Sequence, residues 1–199
     1  MSLNNFPPLL IGERFRIVSP DQHFPPSARI DLIMSRGAFG SGEHETTASC
    51  LNLLSTLPAL RNARVLDLGS GTGVLALAAL KLGAAHAVCV DIEADAVATA
   101  RLNGHRNDLS DRLTHIHGTL NHVDSRDFDL ILANIYGDIL VAVAPSLVDR
   151  AQPGATLLLS GILWEDNFPV RQCYERLGCT VIANRMLSEF SSVILHAPL

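Results

Sequence analysis

Three glycines at alternate positions, Gly69, Gly71 and Gly73, follow an apolar run in the stretch VLDLGSGTG. Two aspartates accompany them: Asp67 lies two residues before the first glycine, and Asp91 ends the next apolar run, 22 residues after Gly69. Glycines placed directly after a strand let a ligand approach bare backbone, and a helix that starts beyond them offers free N–H groups. The pattern therefore predicts a ligand site at this turn.

The choice of ligand depends on glycine spacing and on charge. A dinucleotide site requires G-x-G-x-x-G, whereas the spacing here is G-x-G-x-G. A carboxylate at Asp67 would repel a pyrophosphate and attract the ammonium group of an amino-acid ligand. S-adenosylmethionine carries such an ammonium and no phosphate, and Asp91 can accept both ribose hydroxyls of an adenosine. We therefore expect S-adenosylmethionine, with a nicotinamide or flavin site and a tight turn without a ligand as the alternatives.

Short apolar runs alternate with helix-like segments from Glu43 onward. Several runs are apolar on both faces, which is typical of a sheet covered by helices on each side. Only the link MLSEF separates the last two runs, and it is too short for a parallel crossover. The sequence therefore predicts an α/β fold: a Rossmann-like, doubly wound, seven-stranded, mostly parallel sheet that ends in an antiparallel hairpin. The predicted strands are 64–69, 86–92, 113–118, 128–135, 154–162, 179–186 and 191–197, and the predicted helices lie near 44–57, 73–83, 94–107, 137–150 and 165–177.

Residues 1–43 differ from the remainder of the chain because prolines interrupt their short extended pieces. Proline cannot donate to a strand ladder, so we expect edge strands and loops there. We therefore divide the chain into a proline-rich N-terminal extension, 1–43, and a main domain, 44–199.

The composition narrows the class of protein. Hydrophobic residues make up 48% and charged residues 18% of the chain, as in a globular domain. The net charge is −5, and lysines and arginines are scattered singly, so direct nucleic-acid binding is not expected. The sequence has no apolar stretch long enough for a membrane span and no signal-peptide pattern. We therefore expect a soluble, cytoplasmic protein whose four cysteines are reduced.

Four stretches carry a resemblance to a known family. RVLDLGSGTGVLALAALKLGAAHAVCVDI resembles the core of class I S-adenosylmethionine-dependent methyltransferases. AFGSGEHETTASCL, residues 38–51, is similar to the A-F-G-T-G-T-H-P-T-T segment of the PrmA family, whose members methylate a ribosomal protein of the large subunit. ARLNGHRNDLSDRL, residues 100–113, and LILANIYGDIL, residues 130–140, resemble the second cofactor helix and the end of the fourth core strand in that family. The likeness covers roughly residues 30–197.

The resemblance implies cofactor contacts at the positions that match. Thr47 corresponds to a threonine that contacts the cofactor, and Gly69 to the loop glycine. Asp91 corresponds to the ribose-binding acid and Asn134 to the asparagine after the fourth core strand. For Asn134 the alternative is a helix cap, and for Thr47 a place on an apolar helix face. With neighbours added by position, the expected cofactor-binding residues are Thr47, Asp67, Gly69, Gly71, Gly73, Asp91, Ile92, Gly118, Thr119 and Asn134.

The expected acceptor side of the site comprises His44, Asn134, Tyr136 and Glu43. Glu43 and Glu45 stand where the family has threonine and proline. These carboxylates can attract a cationic amine, or they can be helix-start charges favoured by the helix dipole. His44 is a candidate for a general base, a substrate contact or a hydrogen bond that organises the loop.

A metal site is not expected. His115 and His117 share one strand face and His122 follows, but no third ligand appears with firm spacing. Methyl transfer from a sulfonium needs no metal, so we interpret these histidines as structural.

Direct displacement is the expected reaction: a neutral amine attacks the methyl carbon in line with the departing sulfur, while the protein aligns and desolvates the pair. Family members carry a separate N-terminal domain for the ribosomal substrate, and only some 40 residues precede the matching segment here, so we expect that domain to be absent. The favoured hypothesis is methylation of lysine or N-terminal amines of a protein. Methylation of a small molecule, and non-catalytic cofactor binding together with a partner chain, are the alternatives.

Overall fold

The computed structural model describes residues 6–35, 44–58 and 60–199. The strands are β1 (Leu9–Ile11), β2 (Phe15–Val18), β3 (Ile30–Ile33), β4 (Arg64–Leu68), β5 (His86–Asp91), β6 (Leu113–His117), β7 (Phe128–Asn134), β8 (Ala151–Leu163), β9 (Thr180–Met186) and β10 (Phe190–His196). The α-helices are α1 (Glu45–Leu54), α2 (Val74–Lys81), α3 (Ala94–Arg106), α4 (Gly137–Val148) and α5 (Trp164–Arg176).

The main sheet has seven strands in the order β6-β5-β4-β7-β8-β10-β9. Pairing is parallel from β6 through β8, and β10 pairs antiparallel with both β8 and β9. The predicted seven-stranded, mostly parallel sheet and its C-terminal antiparallel hairpin are therefore confirmed.

Both faces of this sheet are buried, as the apolar runs predict. On β7, Leu130 and Leu132 pack into one core with residues of α1 and α2, whereas Ile131 and Ala133 pack into a second core with residues of α4 and α5. Successive side chains of a strand point to opposite faces, so a run that is apolar at every position must be covered twice. In the described parts of the chain, no helix is both long enough and apolar enough to cross a bilayer.

The first three strands form a separate small sheet that shares the core of α1 and α2. β1 pairs antiparallel with β2, and β2 pairs parallel with β3. Phe15, Ile17 and Leu32 are fully buried in that core, and Arg16 binds both carboxylate oxygens of Asp31 at 2.7 Å. The boundary that the sequence predicts at residue 43 lies outside the described residues.

Two asparagines of α3 connect the small sheet to the glycine turn. Asn107 accepts a hydrogen bond from the backbone N–H of Ile33 at 3.1 Å, and Asn103 accepts one from that of Ser35 at 2.8 Å. The Asn103 amide also donates to the carbonyl of Thr72 at 3.0 Å. Because Asn103 is fully buried, these bonds have no competing water and hold the end of β3 against the turn.

Asp67 stabilises the start of α2 from the interior of the sheet. Gly73 occupies the position before the helix and has no side chain to cap it. The Asp67 carboxylate accepts a hydrogen bond from the backbone N–H of Ala76 at 3.1 Å, which satisfies one of the free donors of the first turn. Asp67 is 1% exposed, and this burial is the main reason that its pKa rises to about 7; the nearby Asp91 raises it further, and the Ala76 N–H opposes the rise.

Substitutions of Asp67 test its role at the helix start. In Asp67→Ala the N–H of Ala76 loses its acceptor in a buried place, so we expect the free energy of unfolding to fall by about 1–3 kcal/mol. In Asp67→Asn the amide oxygen can still accept that bond, so the loss should be smaller. Urea unfolding of both variants at pH 5 measures the difference, and equal losses would contradict the capping role.

The raised pKa of Asp67 also predicts how stability depends on pH. Its ordinary pKa is 3.8 and its folded pKa is about 7, so between these values the native state holds a proton that the unfolded chain does not. The free energy of unfolding should therefore fall as pH rises through this window, by roughly a few kcal/mol. Asp67→Asn should remove that fall, whereas parallel pH profiles for the two proteins would show that Asp67 titrates normally.

Candidate functional site

A cavity of about 410 Å³ lies at the carboxyl ends of β4, β5 and β7. The chain runs outward from β4 to β5 and β6 and then returns to β7 on the other side of β4. Open α/β sheets bind ligands at the point where the strand order reverses in this way. The volume is also within the range of sites for small molecules and cofactors.

Several segments far apart in the chain bring predicted residues to this cavity. They are the start of α1, the turn after β4, the end of β5 and the end of β7. The predicted residues in its wall are His44, Gly69, Gly71, Asp91, Ile92, Asn134 and Tyr136.

The glycine turn exposes its backbone because all three glycines have positive φ angles, which side chains rarely allow. The φ angles are +68° at Gly69, +52° at Gly71 and +78° at Gly73. A Cβ atom at Gly69 would lie 2.3 Å from Cγ2 of Ile135, so this position has no room for any side chain. Gly69 and Gly71 lie in the cavity wall, whereas Gly73 leads into α2.

Asp91 fixes the turn and faces the cavity with the same carboxylate. Its Oδ2 accepts a hydrogen bond from the N–H of Gly71 at 2.8 Å, and its Oδ1 accepts one from the N–H of Glu93 at 2.9 Å. A carboxylate has about four acceptor positions, so each oxygen of Asp91 retains capacity for a further donor. Ile92, its neighbour, is 64% exposed at the cavity edge, which is unusual for a large apolar side chain.

Asn134 ends β7 and carries an unsatisfied acceptor into the wall. Its Nδ2 donates to Oγ1 of Thr47 at 3.4 Å, while its Oδ1 is buried and has no hydrogen-bond partner among the described residues. Buried amide oxygens are normally paired, so an unpaired one beside a cavity is typical of a ligand contact. Thr47 itself lies behind the wall, 1% exposed, and orients this amide.

His44 and Tyr136 both line the cavity, and each residue lies directly before a helix. His44 precedes α1, where its Nδ1 is 2.8 Å from Oγ1 of Thr46. Its ring packs edge-on against the ring of Phe190, with the two ring centroids 5.2 Å apart. Tyr136 precedes α4 and is 66% exposed. Glu43, the remaining residue predicted on the acceptor side, lies outside the described residues.

Asp67 does not line the cavity, which differs from the ammonium contact that the sequence predicts. It shares a strand face with Val65, and α1 and α2 cover that face. The carboxylate is enclosed there and bonds the start of α2. The prediction rests on the distance of Asp67 from the glycines along the sequence. That distance does not show which face of the strand carries the side chain.

Gly118 and Thr119 are also absent from the cavity wall. Gly118 follows β6 and donates its N–H to the carbonyl of Asp91 at 2.8 Å. Thr119 forms a cap with His122, whose Nδ1 accepts from the Thr119 N–H at 3.1 Å. The Gly118 bond holds the loop after β6 beside the end of β5, whereas Thr119 stabilises the loop itself.

The wall also contains residues that the sequence does not single out: Thr46, Ile135, Ile139, Gly161 and Phe190. Gly161 carries a detectable signal, because it is a glycine at the end of a predicted strand. Its φ is +77°, and a Cβ there would lie 2.7 Å from the carbonyl of Ile135. Phe190 carries no such signal, since it reaches the cavity through the register of β10 against β8 and through the turn that precedes it.

The charge of the wall favours a ligand without phosphates. Its described residues include one carboxylate, Asp91, and neither lysine nor arginine. A pyrophosphate bound there would face that carboxylate without a compensating cation. Apolar surface from Ile92, Ile135 and Ile139 makes up much of the remainder.

A second cavity lies at the opposite ends of the strands, and His115 and His117 make local contacts in and beside β6. The cavity, about 420 Å³, lies near the starts of β4 and β7, where Arg61 and Asp129 line it, and contains none of the predicted residues. Burial lowers the pKa of His115 to about 4, and the ring of His117 contacts the carbonyl of Ile92 at 3.0 Å. Within the described ranges, no group of three or more histidine, cysteine or acidic side chains is placed to hold a metal ion.

Comparison with known proteins places the chain in one family. A family model described as ribosomal protein L11 methyltransferase (PrmA) matches residues 1–196. A ribosomal protein L11 methyltransferase of Pelobacter propionicus is 44% identical over 84% of this chain and 56% of its own length. One of Chromohalobacter salexigens is 41% identical over 88% of this chain and 58% of its own length. The chain thus spans less than two thirds of the length of these relatives.

A solved structure supports the same fold. The crystal structure of a ribosomal protein L11 methylase from Lactobacillus delbrueckii subsp. bulgaricus superimposes with a TM-score of 0.87 and 23% identity, and covers 98% of this chain and 99% of that one. This likeness confirms the α/β methyltransferase fold. Together with the family match over residues 1–196, it shows that the chain belongs to the ribosomal protein L11 methyltransferase (PrmA) family.

Proposed function

We propose that the cavity binds S-adenosylmethionine and that the chain transfers its methyl group to an amine of a protein. Ribosomal protein L11 is the first candidate acceptor, because the relatives at 44% and 41% identity are named for it. A ribosomal acceptor implies that the reaction takes place in the cytoplasm.

Asp91 is the observation that carries this proposal. Its carboxylate lies in the cavity wall and bonds the open backbone of Gly71 at 2.8 Å, so an acceptor for hydroxyl groups stands beside a turn without side chains. A ribose placed there can donate both hydroxyls to the free acceptor positions of Asp91. An adenine beside it would cover Ile92, which is 64% exposed in the cavity wall.

The remainder of the donor fits the residues around Asn134. The buried Oδ1 of Asn134 lacks a hydrogen-bond partner among the described residues and can accept from an ammonium or amine N–H. The sequence predicts that Asp67 attracts a charged amino group, but Asp67 is enclosed. We assign this contact to the amide oxygen of Asn134.

The bound donor supplies an electrophilic methyl group on a sulfonium. Asn134 holds the N–H of the incoming amine or of the donor through Oδ1, and Thr47 fixes the amide orientation. Tyr136, Ile139 and Phe190 line the cavity and would cover the reacting pair once donor and acceptor are bound. Alignment of the two reactants accounts for a large part of the rate in such displacements. No covalent nucleophile takes part.

The acceptor amine must be neutral when it attacks. Burial among apolar residues lowers the pKa of an amine and favours its neutral form. His44 lies in the cavity wall, with its Nδ1 bonded to Thr46. We assign it one of two roles: contact with the acceptor, or acceptance of the proton that the acceptor amine loses.

Incubation of the full chain with radiolabelled S-adenosylmethionine tests the proposal. One reaction contains purified ribosomal protein L11, a second contains a cell extract depleted of molecules below protein size, and a third contains only the small-molecule fraction. Label in L11 is the expected result. Label confined to the small-molecule fraction would contradict a protein acceptor, and donor binding without transfer in any reaction would contradict catalysis by this chain.

Substitution of Asp91 tests the placement of the ribose. Asp91→Ala removes charged hydrogen bonds to the donor. The loss of one such bond costs about 1.5–3 kcal/mol, which is about 10- to 100-fold in affinity, so we expect donor affinity to fall by at least about 10-fold. Calorimetric titration with S-adenosylmethionine measures the change. The control is Asp95→Ala, which removes an equal charge from the exposed first turn of α3. Equal affinities for Asp91→Ala and the control would show that the ribose lies elsewhere.

Substitution of Asn134 tests the alignment of the reacting groups. Asn134→Ala removes one oriented hydrogen-bonding group, so we expect kcat for methyl transfer to fall by about 100-fold, as for the loss of one oriented hydrogen bond in other active sites. Thr47→Val removes only the partner that orients the amide and should reduce kcat by a smaller factor. Unchanged kcat in Asn134→Ala would contradict its role.

A further inference from the structure

Glu45, the first residue of α1, bonds a turn near the other end of the chain. Its Oε2 accepts a hydrogen bond from the N–H of Ser188 at 3.1 Å, and its Oε1 accepts one from the N–H of Glu189 at 3.2 Å. Residues 187–189 join β9 to β10, and we refer to them as the β9–β10 turn. The resembled family segment has proline at the position of Glu45, and proline has no side-chain acceptor.

Trp164, the first residue of α5, holds the same turn through its carbonyls. Its ring Nε1 donates to the carbonyls of Leu187 and Phe190, both at 3.1 Å. Its backbone N–H donates to the carbonyl of Glu189 at 3.2 Å. Glu45 thus binds the N–H groups of the turn and Trp164 binds its carbonyls, so the turn is fixed from two sides.

The β9–β10 turn leads directly into Phe190 and fixes it together with the pairing of Phe190 with Leu163 of β8. Phe190 follows the turn directly, opens β10 and lines the cavity, where its ring meets the ring of His44. We refer to these two residues as the His44–Phe190 wall. His44 immediately precedes Glu45. The start of α1 therefore carries both His44 and the carboxylate that holds the turn before Phe190.

We propose that Glu45 is a positioning residue, whose carboxylate holds the β9–β10 turn so that the His44–Phe190 wall keeps its place on the acceptor side of the cavity. This inference rests on the proposed function, because it assigns a task within the same site. The donor side, built from Gly71 and Asp91, belongs to the ends of β4 and β5 and makes no use of the turn. Loss of Glu45 should therefore weaken acceptor binding and leave donor binding intact.

The position of Glu45 suits this task at neutral pH. Hydrogen bonds, above all that from the Ser188 side chain, hold the pKa of Glu45 below its ordinary value, so the carboxylate stays charged. Ser188 and Glu189 are exposed, and water can replace the carboxylate at their N–H groups when it is removed. Substitution should therefore change the position of the turn without unfolding the chain.

Trp164 provides a direct reporter of the turn, since it is the single tryptophan of the chain. The experiment compares Glu45→Ala and Glu45→Gln with Glu175→Gln, a control that removes an equal charge from the exposed last turn of α5. We expect the emission maximum of Trp164 to shift in Glu45→Ala, to shift less in Glu45→Gln, which keeps one acceptor oxygen, and to remain unchanged in the control.

Steady-state methylation of ribosomal protein L11 by the same full-length variants gives the second readout. In Glu45→Ala we expect the KM for L11 to rise by about 5-fold, the effect of freeing one or two ordered side chains, while the affinity for S-adenosylmethionine changes by less than about 2-fold. Glu45→Gln should recover part of the loss. A structural defect alone would instead reduce donor affinity together with acceptor binding.

The outcomes separate this inference from the proposed function. An unchanged Trp164 emission in Glu45→Ala would show that Glu45 does not hold the turn. A shifted emission with an unchanged KM for L11 would show that the turn does not position the acceptor, and either result overturns the inference. Failure of the wild-type chain to bind the donor or to methylate any protein would overturn the proposed function, and the positioning inference with it.

Discussion

The hydrogen bond from the N–H of Gly71 to the carboxylate of Asp91 is the contact on which the cavity depends. It joins the turn after β4 to the end of β5, and positive φ angles at the glycines keep that turn free of side chains. Asp67 stabilises the same turn because it caps the helix that begins after it. Asn103 stabilises the turn through a hydrogen bond to the carbonyl of Thr72. A backbone held open in this way can contact a nucleoside closely, and among the described wall residues it lies beside the carboxylate of Asp91 and no lysine or arginine.

The two halves of the cavity have different structural origins. One half, proposed to hold the donor, comes from β4 and β5, which are neighbours in both sequence and space, together with the end of β7. The other half, proposed to face the acceptor, combines the start of α1 with the start of β10, more than 140 positions later in the chain. Glu45 bonds the β9–β10 turn from the start of α1, and Ser192 of β10 donates to Ser49 of α1 at 2.9 Å, so side chains join these distant parts directly.

Local sequence patterns predict one half of the cavity well, whereas the other half depends on contacts between distant parts of the chain. The alternation of apolar runs and helices, the glycine turn and the short link before β10 are local patterns, and they predict the fold, the hairpin and the place of Asp91 in the wall. Phe190 and Thr46 depend on strand register and helix packing over long distances, which no local pattern reports. Asp67 shows the limit most clearly. Its type and spacing indicate a ligand contact, but the alternation of β4 turns it toward α1 and α2, where it bonds a helix.

The proposed function requires that the turn at Gly69–Gly73 hold a sulfonium nucleoside and not a diphosphate. Calorimetric titration of the chain with S-adenosylmethionine and, separately, with NADH under the same conditions distinguishes these ligands. We expect saturable binding of S-adenosylmethionine at one site per chain and no measurable binding of NADH. Preferential binding of NADH, or no heat of binding at a saturating concentration of S-adenosylmethionine, would contradict the proposed function.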